Sequence, residues 1–358
     1  MRLVLLFLAL ACGDKDGTVP TDGGGGDGGT GDGGGTSDGG GTGDGGGSSD
    51  GGTSDGGGTG DGGTSDGGTG DGGTGDGGTG DGGTTAEPPP IGLWVWDTTI
   101  PGDDVATSRL LTFAEEKGVG TLFMACDPVG YHLDGAEARY VDFVDQAHTA
   151  GLQVFAMSGY GWFTVPCDAD LPGQPTCYDE GWGVYQACAG SKVPFDGIMD
   201  DSEPFSVASD TLTTAYQQRV EWHLAWLQGI RDRIGDLPLH HAIPAWYDTR
   251  EALDLEGTGS PRTFDAWIAD LVDGVAVMAY RDDAGLVLDL SATELARGPA
   301  WVVVECGAHH LSQVTFYDDG EPAMLSAFDE IEAAVGTDPN FLGIAVDQYD
   351  AWSDLAGR

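Results

Sequence analysis

The chain has 358 residues and a formal charge of −45, with 14 Lys and Arg against 59 Asp and Glu. So acidic a surface repels nucleic acid and anionic membranes, and it reads first as a device for solubility in salty surroundings. No apolar run approaches the roughly 20 residues that a helix needs to cross a hydrocarbon core, which excludes a spanning helix.

The chain opens with Arg2, an apolar run over residues 3–10, and then Ala11 and Cys12. A charge, a short apolar stretch and a small residue, in that order, predict a signal peptide over residues 1–11. Ala9-Leu10-Ala11-Cys12 resembles the lipobox of bacterial lipoproteins. The resemblance implies that Cys12 is lipidated and becomes the N-terminus, and Gly13 after it implies the outer membrane or surface of the bacterial cell envelope. Membrane contact is then expected through the lipid anchor alone. Residues 12–90 repeat Thr-Gly-Asp-Gly-Gly with almost no apolar side chain. Nothing there offsets the entropy cost of folding, so a disordered linker is expected. The linker holds fourteen Asp, Glu87 and Lys15, which leaves about −32 on the expected globular domain, residues 91–358. Cys167, Cys177 and Cys188 fall in one Gly- and Pro-rich stretch, and export predicts a disulfide within that loop. Cys126 and Cys306 stand at predicted strand ends.

From residue 91 onward, short Val-, Ile- and Leu-rich runs alternate with helical patterns, as parallel strands joined by helical crossovers do. Strands are predicted over 92–97, 121–126, 153–158, 197–201, 239–246, 274–280, 301–305 and 343–347. Between them, apolar residues at three-and-four spacing, such as Leu110, Leu111 and Ala114, or Val220, Leu224 and Leu227, mark helices. Eight such units in a domain of this length predict a (β/α)8 TIM barrel, which typically takes about 250 residues. The competing open, doubly wound sheet lacks a Gly-rich fingerprint after the first strand.

Chemistry in such a barrel collects at the C-terminal strand ends. Here they read Asp97; Asp201-Ser202-Glu203-Pro204; Tyr280-Arg281-Asp282; Glu305; and Asp347-Gln348-Tyr349-Asp350. Any one of these can simply cap the next helix. As a pair, Glu203 and Glu305 point further, because glycoside hydrolysis needs one protonated and one ionised carboxyl facing a single bond. Glu203-Pro204 at the end of strand four and Glu305 at the end of strand seven resemble the large retaining-glycosidase clan of barrels. The resemblance implies Glu203 as acid/base and Glu305 as nucleophile; Ser202 stands where that clan usually has Asn. A second likeness is to chitinase-type barrels, carried by Asp196-Gly197-Ile198-Met199-Asp200-Asp201-Ser202-Glu203, with Met199 in place of an Asp, and by Met278-Ala279-Tyr280. It implies a substrate-assisted mechanism in which Glu203 is the acid, Asp201 orients it, Tyr280 assists and Glu305 is structural or a sugar ligand. Across the whole domain, Gly92-Leu93-Trp94-Val95-Trp96, Val277-Met278-Ala279-Tyr280-Arg281-Asp282 and Gly343-Ile344-Ala345 resemble a family of bacterial glycosidase-like barrels.

Indole faces stack on sugar rings. Trp162, Trp246 and Trp352 fall near predicted strand ends, and of these Trp162 and Trp246 are expected to bind substrate. Asp97, Arg281, Asp282, Gln348 and Tyr349 complete the expected sugar-binding set. Trp94 and Trp96 are expected to divide, one into the barrel and one toward the helices. The His240-His241 and His309-His310 pairs invite a metal, but adjacent strand residues point to opposite faces, so each pair offers one ligand to a given site. No metal and no cofactor are expected, and no Gly-x-Ser-x-Gly elbow, phosphate loop or dinucleotide fingerprint is present. The expected protein is a monomeric, exported, lipid-anchored glycoside hydrolase acting on an extracellular or cell-wall polysaccharide by a two-carboxylate retaining mechanism. A retaining pair stands about 5 to 5.5 Å apart and an inverting pair about 6.5 to 9.5 Å. The alternatives are the substrate-assisted hydrolase and a glycan-binding surface lipoprotein without catalysis, at which Ser202 and Met199 hint.

Overall fold

The structure, a computed structural model, describes residues 90–127, 135–169, 171, 174, 176–205 and 216–357. The expected signal, Cys12 and all but the last residue of the linker lie outside the described residues. Each predicted strand forms: β1 (Ile91–Val95), β2 (Val119–Ala125), β3 (Gln153–Ser158), β4 (Gly197–Asp200), β5 (Leu239–Pro244), β6 (Gly274–Met278), β7 (Ala300–Glu305) and β8 (Phe341–Asp347). All pairs are parallel, and the sheet closes in the order β1 to β8 with β8 back against β1. The fold is a (β/α)8 barrel.

Period-two alternation divides the apolar residues into two cores. Leu93, Val95, Leu122, Val154, Ile198, Val277, Val302 and Ile344 point outward and pack beneath the helices. Trp94, Phe123, Phe155, Met157, Met199, Ala276, Met278, Trp301 and Ala345 fill the interior. There Phe123 meets Trp94, Trp301 and Phe155 with ring centroids 4.5, 5.5 and 5.9 Å apart. Gly197 leaves room for this packing, since a Cβ there would lie 2.3 Å from the Phe155 ring. Trp94 and Trp96 do not divide between the faces. Both join the interior cluster, because residues two apart on a strand share a face.

The crossovers are α1 (Asp104–Lys117), α2 (Ala136–Thr149), α3 (Tyr178–Gly190), α4 (Tyr216–Ile234), α5 (Phe264–Ile268), α6 (Ala284–Arg297) and α7 (Glu321–Val335), with α8 (Tyr349–Ala356) after β8. Local chemistry sets their ends. Asp103 accepts the N–H groups of Val105 and Ala106 at the start of α1, Gly118 ends that helix at φ 69°, and Asp283 accepts the Leu286 N–H at the start of α6. A side-chain acceptor there satisfies donors the helix itself leaves open.

The loop disulfide forms between Cys167 and Cys177. Cys188 lies on α3 rather than in that loop, and it bridges to Cys126 just past β2, across 62 residues of chain. Cys306 is free and buried.

Candidate active site

Four strand ends present acids or their partners on the interior face. On β4, Met199 points inward, Asp200 outward, and Asp201 inward again. Asp200 is fully buried beneath the helices, where it accepts from the Tyr185 hydroxyl at 2.7 Å, the Trp226 indole at 3.1 Å and His241 Nδ1 at 2.9 Å. These contacts hold the end of β4 to α3, α4 and β5. Asp201 turns to the mouth, where the Trp94 indole donates to its Oδ2 at 3.3 Å. Its N–H donates to the Ser158 carbonyl at 2.9 Å, and β3 passes so close that a Cβ on Gly159 would lie 2.4 Å from the Asp201 carbonyl oxygen.

Glu305 ends β7 in register with Asp347 at the end of β8. Alternation from Val303 and Ala345 aims both carboxyl groups inward. Glu305 curls back on its own chain, its Oε1 accepting the Gly307 N–H. Asp347 is 6% exposed and takes two side-chain donors, the Tyr280 hydroxyl at 3.0 Å and the Trp96 indole. Tyr280, two residues past β6, continues the inward row of Ala276 and Met278.

Burial and mutual repulsion set the protonation of this group. Burial first, and then the Asp347 charge, push Glu203 up from 4.5 to about 7. Burial first, then Glu203 and Asp347, push Asp201 well above the usual carboxylate range, with the Trp94 hydrogen bond opposing. Glu305 and Asp347 titrate together as a buried pair; burial raises both, and Asp347 raises Glu305 further. Two side-chain donors, Tyr280 and Trp96, favour the ionised form of Asp347, and two backbone N–H groups, of Gly307 and Cys306, favour that of Glu305. The Tyr280 hydroxyl is held protonated by burial and by the surrounding carboxyl groups, Asp347 first. Tyr247, fully enclosed after β5, stays protonated for the same reasons, burial first and then the Glu203 charge. One ionised carboxylate among protonated neighbours is an arrangement suited to proton transfer across a bond.

The structure therefore brings Glu203, Glu305, Asp201 and Tyr280 together and adds four residues that sequence reasoning left out of the site: Asp347, Trp94, Trp96 and Tyr247. The two indoles and Asp347 lie on inward-facing strand positions, the one sequence signal that marks them. The expected binding residues scatter. Asp97 is exposed and spends its Oδ1 on the Thr99 N–H and hydroxyl at 2.8 and 2.6 Å. Tyr349 faces away from the mouth, its ring 5.4 Å from Phe113 of α1. Trp352, not among the expected ligands, is buried under the helices and donates to Glu321 at 2.8 Å. Trp246 is 8% exposed, with the Arg250 guanidinium 4.6 Å from its ring centre. Trp162 is half-buried in the turn Gly161–Thr164 after β3, beside Tyr160, which is 42% exposed. Arg281 donates to the Tyr280 carbonyl at 2.7 Å, and the Asp282 N–H reaches the Gln313 carbonyl at 3.3 Å. Gln348 caps α8 through its backbone, accepting the Trp352 N–H at 3.0 Å. His240 points into the barrel, stacked on Phe155 at 4.8 Å, and His241 points out to Asp200. The adjacent histidines thus divide between the two faces, as strand geometry requires.

No family model and no curated relative matches the sequence. Solved structures do. The chain is similar to the PgaB (BpsB) glycoside hydrolase domain from Bordetella bronchiseptica, at 11% identity over 75% of this chain and 96% of that one, with a TM-score of 0.46. It is similar to a broad-specificity endoglucanase from an uncultured bacterium, at 13% identity over 72% and 86% of the two chains, TM-score 0.48. It is also similar to a chitinase from Rhizomucor miehei, at 13% identity over 73% and 95%, TM-score 0.44.

Proposed function

We propose that the chain is a glycoside hydrolase that acts on a polysaccharide outside the cell, with Glu203 as its proton donor. The observation that carries this reading is the gathering of Glu203, Asp201, Glu305 and Asp347 at the C-terminal strand ends, buried and near enough to shift one another's protonation. Glu203 keeps its proton to about pH 7, in part because Asp347, a neighbouring carboxyl with two side-chain donors, holds the charge. Cleaving a glycosidic bond needs that asymmetry. The Glu203 carboxyl gives its proton to the leaving oxygen as the bond to the anomeric carbon breaks. An ionised carboxylate of the mouth meets the positive charge that develops on the sugar ring. Sequence reasoning assigns that second role to Glu305. Export and a lipid anchor at Cys12 belong to the same proposal and rest on the order of residues 1–12.

The test is reducing-sugar release from a panel of polysaccharides, with binding to each recorded. The expected result is release by the wild type and binding without release by Glu203→Gln. Equal binding by both proteins with release by neither overturns the hydrolase reading in favour of a glycan receptor.

A further inference from the structure

We infer that Asp347, rather than Glu305, is the carboxylate that faces Glu203 across the mouth and reacts at the anomeric carbon. The inference rests on the hydrolase reading and names the second catalytic residue within it. Three observations carry it.

The first is position. In a closed ring of eight strands, β8 stands opposite β4, whereas β7 lies beside β8. Glu305 is therefore the in-register neighbour of Asp347, and Asp347 ends the strand opposite the one that Asp201 and Glu203 follow. The second is hydrogen bonding. Asp347 is held by the Tyr280 hydroxyl at 3.0 Å and the Trp96 indole, side chains that follow β6 and β1. Glu305 is instead held by backbone N–H groups of its own loop, those of Gly307 and Cys306. A group that must keep one geometry through a reaction is better served by side-chain partners from separate parts of the barrel than by its own loop. The third is charge. Asp347 is a charge felt by Glu203, Glu305 and Asp201 alike. A single ionised centre thus keeps the facing acid protonated, as the first chemical step requires.

The step balances as follows. An Asp347 carboxylate oxygen forms a bond to the anomeric carbon while the bond from that carbon to the leaving oxygen breaks. The leaving oxygen takes the Glu203 proton. In the second step Glu203, now ionised, takes a proton from water; the water oxygen bonds to the anomeric carbon, the Asp347 ester bond breaks, and the sugar leaves with net retention. Glu305 stays protonated and supports Asp347 from the side.

The experiment uses the full chain and 2,4-dinitrophenyl glycosides, whose leaving group needs no proton, with and without azide. Asp347→Gly is expected to lose at least about a thousandfold in kcat and to regain turnover with azide, giving a glycosyl azide of anomeric configuration opposite to the substrate. Glu305→Gly is expected to form no such azide. Azide product from Glu305→Gly and not from Asp347→Gly overturns the inference. A second measurement needs no substrate: carboxyl carbon-13 titration of the wild type, in which Asp347 is expected to ionise before Glu305 and Glu203. Glu305 ionising first overturns the inference whatever the kinetics of the variants. A wild type that cleaves no glycoside overturns the hydrolase reading and this inference with it. A wild type that cleaves and survives Asp347→Asn overturns this inference alone.

Discussion

Glu203→Gln should make the protein more stable at pH 8 while abolishing its proton donor. Burial and Asp347 raise the folded-state pKa of Glu203 from 4.5 to about 7. Below pH 4.5 folded and unfolded chains both hold the proton, and the wild type has its full stability. Between 4.5 and 7 the unfolded chain gives up the proton and the folded one keeps it, so wild-type stability falls by about 1.4 kcal/mol per pH unit. Above 7 the folded carboxyl is ionised too and the fall stops, with about 3 kcal/mol lost. Gln carries no proton to lose and escapes this penalty. The variant and wild type should therefore be of equal stability near pH 4.5, with the variant ahead by about 3 kcal/mol at pH 8. Urea unfolding of both proteins at half-unit steps from pH 4 to 8.5 measures the difference directly. A difference that stays flat across that range, or that favours the wild type at pH 8, would refute the argument, because Glu203 would then titrate in the folded state much as it does in water.

Tyr280→Phe removes the 3.0 Å donor that favours ionised Asp347, so the pKa of Asp347 should rise and the acid limb of the pH–rate profile should move to higher pH, with a loss in kcat of about tenfold. A profile that keeps its acid limb would separate Tyr280 from the ionisation of Asp347. Gly159→Ala places a Cβ 2.4 Å from the Asp201 carbonyl oxygen, backbone against backbone. The ends of β3 and β4 must part, at a cost of about 1–3 kcal/mol read by denaturant unfolding, and turnover should fall with it. Removing the Cys126–Cys188 bridge, which spans 62 residues, should cost about 4 kcal/mol from loop closure, against about 3 for the Cys167–Cys177 bridge; paired Cys→Ser variants compared by urea midpoint test the order.

Much of the fold could be read directly because its signals are local. Each strand is a short apolar run, each crossover an amphipathic pattern, and the observed strands fall within or close to the predicted ranges, as with Gln153–Ser158. The inward aim of Asp201, Tyr280 and Glu305 follows from strand ends and a two-residue period, which is why Glu203 and its neighbours could be singled out. The expected binding residues that stand apart from the acids follow the first loop or helical turn after a strand, where the period is lost. Tyr349 begins α8, and the rotation of that helix turns it to Phe113; Asp97 is captured by the turn at Thr99. The same two-residue period puts Trp94 and Trp96 on one face.

What sequence alone determined about this protein is its order: eight strand-and-helix units, an acidic domain, and acids at the strand ends. Only the tertiary structure decided which of those acids meet and what surrounds each. Asp347 reads in sequence as one of several polar residues after an apolar run. Its state depends on Tyr280, 67 residues away, on Trp96 from the first strand, and on carboxyl groups carried in from β4 and β7. Likewise Trp94 reaches Asp201 across 107 residues. A carboxyl group's protonation is set by the donors, charges and missing water around it, and closure of the barrel is what assembles those surroundings.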